Sequence, residues 1–338
     1  MKKSLLGSSL VFALLLLLAP GMARAETKVK FVLDWAVIGT HAPFAAAVKN
    51  KFFEKRGLNV TIDRGYGSTD TINKVANGVY DFGFADPNLL LEYNNKNPDA
   101  KVSMVLLVYD GSQSAIVARK AAGIATAKDL EGKKIGAAAG DNTRVMLPTY
   151  AHIAGFDASK VNWISVQPQI KESMLLRGDV DAVATLEPTT MMAFKKLGED
   201  PKDFVSFRYE KLMPELMGTG IIASERTIRE KPEEVRAFVA AVVDGLKSAL
   251  ANPGAAVESL TILDPLVEVD SELERFKMGN EMSMANPALK TAGIGSVTPE
   301  RMHKSLEYMA AGKNIPLPAD TKEIYNQDFL PPLSDRMF

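Results

Sequence analysis

The stretch Gly78–Pro87, GVYDFGFADP, is echoed one hundred residues later by Gly178–Pro188, GDVDAVATLEP. Each copy has a glycine, an aspartate three positions on, a run of small and apolar residues, and a carboxylate followed by proline. A glycine before a short apolar run is typical of a helix end followed by a buried strand. The repeat therefore predicts the same strand in two similar α/β units, and each aspartate is expected to cap the tight turn into its strand.

Strands and helices alternate around both copies of this phrase. In the first unit, strands are predicted over Lys28–Asp34, Asn59–Asp63, Asp81–Ala85 and Val102–Tyr109, with helices over Pro43–Lys55 and around Ile72–Ala76. In the second unit, strands are predicted over Lys134–Ala138, Val161–Val166 and Asp181–Leu186. Helices are predicted at Asp129–Gly132, from the turn at 140–143 to about Ala154, and over Ile170–Leu176. This alternation indicates mainly parallel sheets with right-handed crossovers.

The N-terminus has the three parts of a secretory signal peptide. Lys2 and Lys3 precede the apolar run Leu10–Ala19, and Ala23-Arg24-Ala25 supplies small residues for cleavage after Ala25. The alternative is an uncleaved membrane anchor, but a spanning helix needs about 20 apolar residues. The sequence has no cysteine, hence no lipid-attachment cysteine and no disulfide. We expect export to a Gram-negative periplasm.

Composition and motifs narrow the function classes. The predicted mature chain has 37 Lys and Arg against 41 Asp and Glu, a net charge of −4, and no basic run that would suit nucleic acid. His41, His152 and His303 lack the spacing of metal ligands, so no metal and no cofactor is expected. Neither GxSxG nor a P-loop glycine pattern occurs, and we expect a protein that is not an enzyme. The sequence does not exclude a catalytic arrangement of carboxylates.

Polar and aromatic residues collect just after the predicted strands. Open α/β sheets bind ligands at the carboxyl ends of their strands, so these residues are candidates for ligand binding. In the first unit they are Asp34, Trp35, Thr40, His41, Tyr66, Gly67, Ser68, Thr69, Asp86, Tyr109, Ser112 and Gln113. In the second unit they are Asp141, Asn142, Thr143, Arg144, Gln167 and Glu187.

Two of these segments, GST at 67–69 and GDNT at 140–143, directly precede predicted helices. The free N–H groups and positive end of a helix suit an anionic or carbonyl-bearing ligand. Ser68 and Asp141 could equally act as ordinary N-caps. Both interpretations remain open from the sequence.

Several phrases resemble one family in order and spacing. They are VKFVLDW with His41, FFEKRGLNV, GYGSTDTINKVANGVYDFGFAD, LEGKKIG and GDVDAVATLEP. Together they are similar to periplasmic substrate-binding proteins of ABC importers, in the NMT1/THI5-like and nitrate/sulfonate/taurine-type group. The resemblance covers roughly residues 28–275 and implies the two-lobed periplasmic binding protein fold (type II), an α/β fold with the ligand cleft between the lobes.

The resemblance also implies a domain division. Residues 1–25 would be the signal peptide, 26–115 the first part of lobe 1, 116–218 lobe 2, and 219–338 the second part of lobe 1. The chain would cross between lobes near Ser112–Val117 and Gly218–Ala223. Helices over Lys231–Ala251, Ser271–Met284 and Pro299–Ala311 would complete lobe 1.

The function implied by the resemblance is capture of a small solute, as a monomer, for delivery to a membrane permease and its ATPase. The leading ligand class is an organic carboxylate or sulfonate, which could be aromatic. Arg144 would bind its anionic group through two parallel hydrogen bonds. Arg144 could instead form a surface ion pair. The second class is a neutral pyrimidine resembling a thiamine precursor, stacked on Trp35, Tyr66 or Tyr109. Trp35 could instead cover the lobe core, and the loop AVIGTH differs from that of the pyrimidine binders.

Two other classes share this fold. Pyrimidine synthases related to the family need a cysteine-rich iron motif, which a chain without cysteine cannot carry. A chemosensory receptor module could use the same cleft with a signalling partner in place of a permease.

The first prediction concerns export. We expect a mature protein that begins at Glu26, because Ala23-Arg24-Ala25 is a cleavage site and no cysteine is available for lipid attachment. N-terminal sequencing of periplasmic extract checks it. Recovery only from the membrane fraction, with residues 1–25 intact, would contradict it.

Overall fold

The computed structural model describes residues 26–338, and the predicted signal peptide lies outside them. Within the described range, no helix is long and apolar enough to cross a membrane. The strands are β1 (Thr27–Val32), β2 (Leu58–Asp63), β3 (Phe82–Ala85), β4 (Val102–Leu107), β5 (Ser114–Arg119), β6 (Lys134–Ala137), β7 (Asn162–Ser165), β8 (Ala182–Leu186), β9 (Phe204–Arg208) and β10 (Gly220–Ser224). The α-helices are α1 (Ala42–Lys49), α2 (Ser68–Ala76), α3 (Leu90–Lys96), α4 (Asn142–Ala154), α5 (Lys171–Arg177), α6 (Glu187–Lys196), α7 (Glu225–Glu230), α8 (Pro232–Ala251), α9 (Pro253–Glu258), α10 (Val269–Ser283), α11 (Leu289–Ala292), α12 (Pro299–Lys313) and α13 (Leu333–Arg336).

The strands form two five-stranded sheets of the same design. Their orders are β2-β1-β3-β10-β4 and β7-β6-β8-β5-β9. In the first sheet β10 runs opposite to the other four strands, and in the second sheet β5 runs opposite to the other four. Each of these two strands follows directly after the chain has passed from one sheet to the other. The prediction of two lobes, each with a mainly parallel sheet flanked by helices, is confirmed.

The two passages between the sheets lie side by side. Gly111 and Met217 form an antiparallel bridge, and the Gly218 N–H donates to the Asp110 carbonyl at 3.1 Å. The Arg301 guanidinium from α12 donates to the Asp110 carboxylate and carbonyl and to the Leu216 carbonyl, so it binds both passages at once.

The repeated phrase supplies the same strand of each sheet. β3 and β8 occupy the central position, with Phe82 opposite Phe31 of β1 and Ala182 opposite Ile135 of β6. The role expected for the aspartates needs a correction. The Lys30 N–H donates to the Asp81 carboxylate at 2.9 Å, and the Lys134 N–H donates to the Asp181 carboxylate at 2.8 Å. Each aspartate therefore joins its own strand to the neighbouring one.

The helix predicted over Pro43–Lys55 is shorter, because α1 ends at Lys49. Lys51 takes the left-handed conformation with φ 58°, and the Phe52 N–H donates back to the Ala47 carbonyl at 2.9 Å. This closes the helix in the way a glycine usually does. β9 and α6 were missed. Pro188 lies in the first turn of α6, where proline is favoured.

Aromatic side chains fill the space between the first sheet and its helices. Phe82 of β3 stacks on Phe238 of α8 with ring centroids 4.1 Å apart, and Phe31 of β1 meets Phe44 of α1 edge-on at 5.0 Å. All four side chains are buried. Such packing holds β1 and β3 rigidly, so the segments that follow these strands start from fixed points.

The second prediction concerns Asp181. Asp181→Ala leaves the Lys134 N–H without its carboxylate, and we expect a loss of about 1 kcal/mol in the free energy of unfolding, measured in urea. Asp181→Asn, which keeps an acceptor oxygen, should recover part of it. Asp179→Ala is the matched control, since among residues 26–338 the Asp179 side chain pairs only with the exposed Arg177. Equal effects of Asp179→Ala and Asp181→Ala would contradict the role of Asp181.

Candidate functional site

A small cavity lies between the two lobes at the carboxyl ends of the strands. We call it the inner cavity; its volume is about 60 Å³, room for a few water-sized groups. Its walls are Asp34, Trp35, Ile38, Gly67 and Ser68 from the first lobe, and Asp141, Asn142, Pro168, Lys171, Glu172, Thr185, Leu186 and Thr189 from the second. Six of the predicted residues meet here: Asp34, Trp35, Gly67, Ser68, Asp141 and Asn142.

Asp34 is held in place by a buried histidine. The Ile38 N–H donates to Nδ1 of His41 at 3.2 Å, so Nδ1 must carry a lone pair. The proton of the neutral ring is then on Nε2, which lies 2.8 Å from an Asp34 carboxylate oxygen and donates to it. His41 is fully buried, while the Asp34 side chain keeps 13% exposure. Within residues 26–338 the second carboxylate oxygen of Asp34 has no hydrogen-bond donor, so it is available to a ligand.

The wall of the inner cavity that comes from the second lobe has more acidic than basic side chains. Glu172 is buried and accepts from the Thr190 hydroxyl at 2.7 Å. The Lys171 ammonium donates to the Ala184 carbonyl at 2.9 Å and lies 3.7 Å from the Glu172 carboxylate. Asp141 caps α4 by accepting from the Thr143 N–H, and its burial raises its pKa. Among the described residues that line the cavity, Lys171 is the single cation and is already partnered.

Asp86 connects the lobes beside this cavity. One of its carboxylate oxygens accepts from the Asn142 side-chain amide of the other lobe at 2.8 Å, and the other accepts from Asn88. Asp86 is buried, and burial raises its pKa to about 6 although these hydrogen bonds oppose the change. The lobes are therefore in contact across the cleft.

Glycine is required at one close approach of the two lobes. Gly67 has φ 110°, and a Cβ there would lie 2.4 Å from the Gly140 carbonyl oxygen of the other lobe. No side chain fits in that space or readily adopts that backbone conformation. Ser68, the next residue, does not cap α2, and its hydroxyl accepts from the Asp86 N–H at 3.1 Å.

A second and larger space, which we call the outer groove, adjoins the inner cavity. Its volume is about 470 Å³. Trp35, Arg64 and Tyr66 line it from the first lobe, and Ala138, Ala139, Ser165, Val166, Gln167, Pro168, Ile170 and Met174 from the second. Trp35, Tyr66 and Gln167 are thus the predicted residues found here. Trp35 and Pro168 belong to both spaces.

Several predicted residues form the buried support behind the cleft. The Tyr109 hydroxyl donates to the Thr40 carbonyl at 2.7 Å, and burial raises the pKa of Tyr109. The Gln113 amide donates to the Ser283 hydroxyl at 2.6 Å. Ser112 accepts from the Ser114 N–H at 3.3 Å, and the Thr143 hydroxyl donates to the Thr185 carbonyl at 3.0 Å.

The remaining predicted residues lie in three places. Arg144 donates to the Ser165 hydroxyl at 3.2 Å, and its guanidinium lies 5.0 Å from the ring centre of Trp163. Glu187 is buried and pairs with Arg208 of β9. Thr69 is half-buried in the first turn of α2. The sequence alone did not predict that Arg144, Glu187 and Thr69 would lie in different places.

Sequence reasoning missed Ile38, Lys171, Glu172, Thr185 and Thr189 in the inner cavity, and Arg64 in the outer groove. One signal for Lys171 and Glu172 was available. They follow β7 and open α5, so they lie at the carboxyl end of a parallel strand, where the other candidates were sought. In the described part of the chain, no group of three His, Asp or Glu side chains could hold a metal ion.

Comparison with protein families matches residues 39–256 to the model described as NMT1/THI5 like. The chain belongs to the NMT1/THI5-like family. Two similar proteins have names that describe different activities. A 4-amino-5-hydroxymethyl-2-methylpyrimidine phosphate synthase of Aspergillus parasiticus is 25% identical over 71% of this chain and 72% of its own length. The riboflavin-binding protein RibY of Chloroflexus aurantiacus is 24% identical over 93% of this chain and 89% of its own length.

Solved structures show the same fold. The alkanesulfonate-binding protein SsuA from Xanthomonas axonopodis pv. citri, bound to MOPS, superposes with a TM-score of 0.68 at 15% identity. The match covers 89% of this chain and 99% of SsuA. The periplasmic binding protein architecture of this NMT1/THI5-like chain is thereby established.

The third prediction uses the pKa of Asp86. Because that pKa is raised from its usual value to about 6, Asp86 stabilises the folded protein fully at pH below about 4, and this stabilisation is lost as pH rises through 6. We expect wild type to lose roughly 2–3 kcal/mol relative to Asp86→Asn between pH 4 and 7.5. Urea unfolding of both proteins at a series of pH values measures the difference.

The exposed Asp99 provides the control. Asp99→Asn should keep the wild-type dependence on pH. If the profiles of wild type and Asp86→Asn run parallel across this range, Asp86 does not titrate as its burial requires.

Proposed function

We propose that this protein is the solute-binding component of an ABC importer, acting in the periplasm and delivering a small organic solute to a membrane permease. The observation that carries the proposal is a cavity whose walls come from both lobes, so that bound ligand and lobe closure are coupled. Membership of the NMT1/THI5-like family and the likeness to solute-binding proteins support it. We propose residues 26–115 with 219–338 as lobe 1 and 116–218 as lobe 2.

For the ligand, we propose a small nitrogen-bearing compound whose N–H groups donate to the inner cavity, such as an aminopyrimidine. Asp34, Asp141 and Glu172 line the cavity, and Lys171 is engaged by the Ala184 carbonyl and Glu172. A carboxylate or sulfonate placed there would face three acids, and Lys171, the one cation among the described lining residues, is already engaged; this is costly in a desolvated space. The cavity charges thus favour the second of the two ligand classes considered from the sequence.

A binding role accounts for the site better than a synthase role. The chain has no cysteine for an iron motif of the kind associated with the related synthases. His41, the histidine beside Asp34, has both ring nitrogens engaged by Ile38 and Asp34, as expected for a residue that positions a neighbour. Incubation with a bound ligand should therefore return that ligand unchanged.

The fourth prediction tests the ligand class at Asp34. Asp34→Asn replaces the carboxylate by an amide and removes a charge-assisted hydrogen bond to an N–H donor, so affinity for 4-aminopyrimidine should fall about 10- to 100-fold. Calorimetric titration of wild type and variant measures it. Asp99→Asn, far from the cavity, is the control and should bind as wild type.

The importer role is tested separately. The mature protein, immobilised, should retain a permease–ATPase complex from solubilised inner membranes, and its addition should stimulate that complex's ATPase in proteoliposomes. Retention of a signalling receptor without any permease would favour the chemosensory alternative.

A further inference from the structure

We propose that the outer groove is a second subsite, which binds an aromatic tail with an anionic end attached to the nitrogen-bearing head in the inner cavity. This rests on the proposed ligand class for the inner cavity and extends it. The solute would then have two chemically distinct ends, each recognised by a different part of the cleft.

The two spaces adjoin. Trp35 of the first lobe and Pro168 of the second lie in the walls of both, so a ligand that occupies both spaces would contact these two side chains. The inner cavity, at about 60 Å³, is much smaller than the outer groove, at about 470 Å³. A ligand larger than a single small ring must extend into the groove.

The walls of the outer groove suit an apolar, flat group. Tyr66 and Ile170 line it from opposite lobes and are unusually exposed for their size, at 62% and 48%. Trp35 and Met174 add further apolar surface. Large exposed apolar side chains that line one groove from two lobes are better explained by a ligand than by the stability of the free protein.

Arginines at the outer groove carry a positive charge, opposite to that of the carboxylates in the inner cavity. The Arg64 guanidinium lies 4.6 Å from the ring centre of Tyr66, and Arg144 donates to Ser165, which lines the groove. Within residues 26–338 neither arginine forms an ion pair with a carboxylate, whereas Lys74, on the same Tyr66 ring, pairs with Asp70 at 2.7 Å. One arginine comes from each lobe, so an anion in the groove would be attracted by both.

These charges fix the direction of the ligand. The nitrogen-bearing head is matched by the acids of the inner cavity, and an anionic tail is matched by Arg64 and Arg144. A ligand bound in reverse would place its anion beside Asp34, Asp141 and Glu172. The arrangement therefore discriminates by both charge and order along the ligand.

Three probes with one head test the proposal: 4-aminopyrimidine, its 5-benzyl derivative and its 5-(4-carboxybenzyl) derivative. Calorimetric titration should show an affinity gain of about 10-fold for the benzyl group and a further gain of about 5-fold for the carboxylate. Ile170→Ser, at an exposed position, should remove most of the benzyl gain. Arg64→Gln and Arg144→Gln should each reduce the carboxylate gain and leave the affinity for 4-aminopyrimidine unchanged.

Arg177→Gln, on the exposed end of α5, is the matched control and should alter none of the three affinities. Equal affinity for all three probes, with Asp34→Asn still weakening each, would overturn the second subsite and leave the proposed head class standing. Failure of every probe to bind would overturn both the second subsite and the head class, while the permease experiment would still decide the importer role.

Discussion

The structure depends on one constraint of connectivity: the fourth position of each sheet is occupied by a strand that has just arrived from the other lobe. β10 lies between β3 and β4, and β5 lies between β8 and β9. Neither sheet is complete without the passage that joins it to its partner, so the lobes cannot separate as independent domains. With the passages bridged at Gly111 and Met217, the carboxyl ends of the strands face a common cleft.

The chemistry of that cleft changes with depth. Its inner part is formed by carboxylates that are held by other groups, Asp34 by His41 and Glu172 by Thr190. Its outer part is apolar with guanidinium groups nearby. The inner cavity and the outer groove each have residues of both lobes in their linings, so this change from acidic to basic surroundings exists only where the lobes meet.

The sequence predicted the two-lobed fold because its signals are local. A glycine that ends a helix, a short buried strand and a terminal carboxylate recur in both lobes, and this pattern correctly located β3 and β8. It failed for the aspartates, since the partners of Asp81 and Asp181 are Lys30 and Lys134 on neighbouring strands, about fifty positions away. Such contacts are set by sheet order, which one strand does not encode.

The site was predicted less well for the same reason. Residues after the first strands were found because the loop that follows a strand is adjacent to it in sequence. Lys171 and Glu172 were missed because charged residues are ordinarily exposed, whereas these two are buried against the Ala184 carbonyl and the Thr190 hydroxyl in the assembled lobe. The separation of Arg144 from the inner cavity depends on its contact with Trp163, which only the assembled lobe provides.

The insertion of β10 also has a consequence for the order of synthesis. β4 has all its strand neighbours later in the chain, β10 on one side and the bridge to Tyr325 on the other. Its six residues are completely apolar or small and become buried only when those partners exist. At ribosomal rates of about 5–20 residues per second, β10 is made roughly 6–20 s after β4. During that interval the first sheet lacks the strand that lies between β3 and β4, so it reaches its native packing only after β5 to β9 of the second sheet have been made.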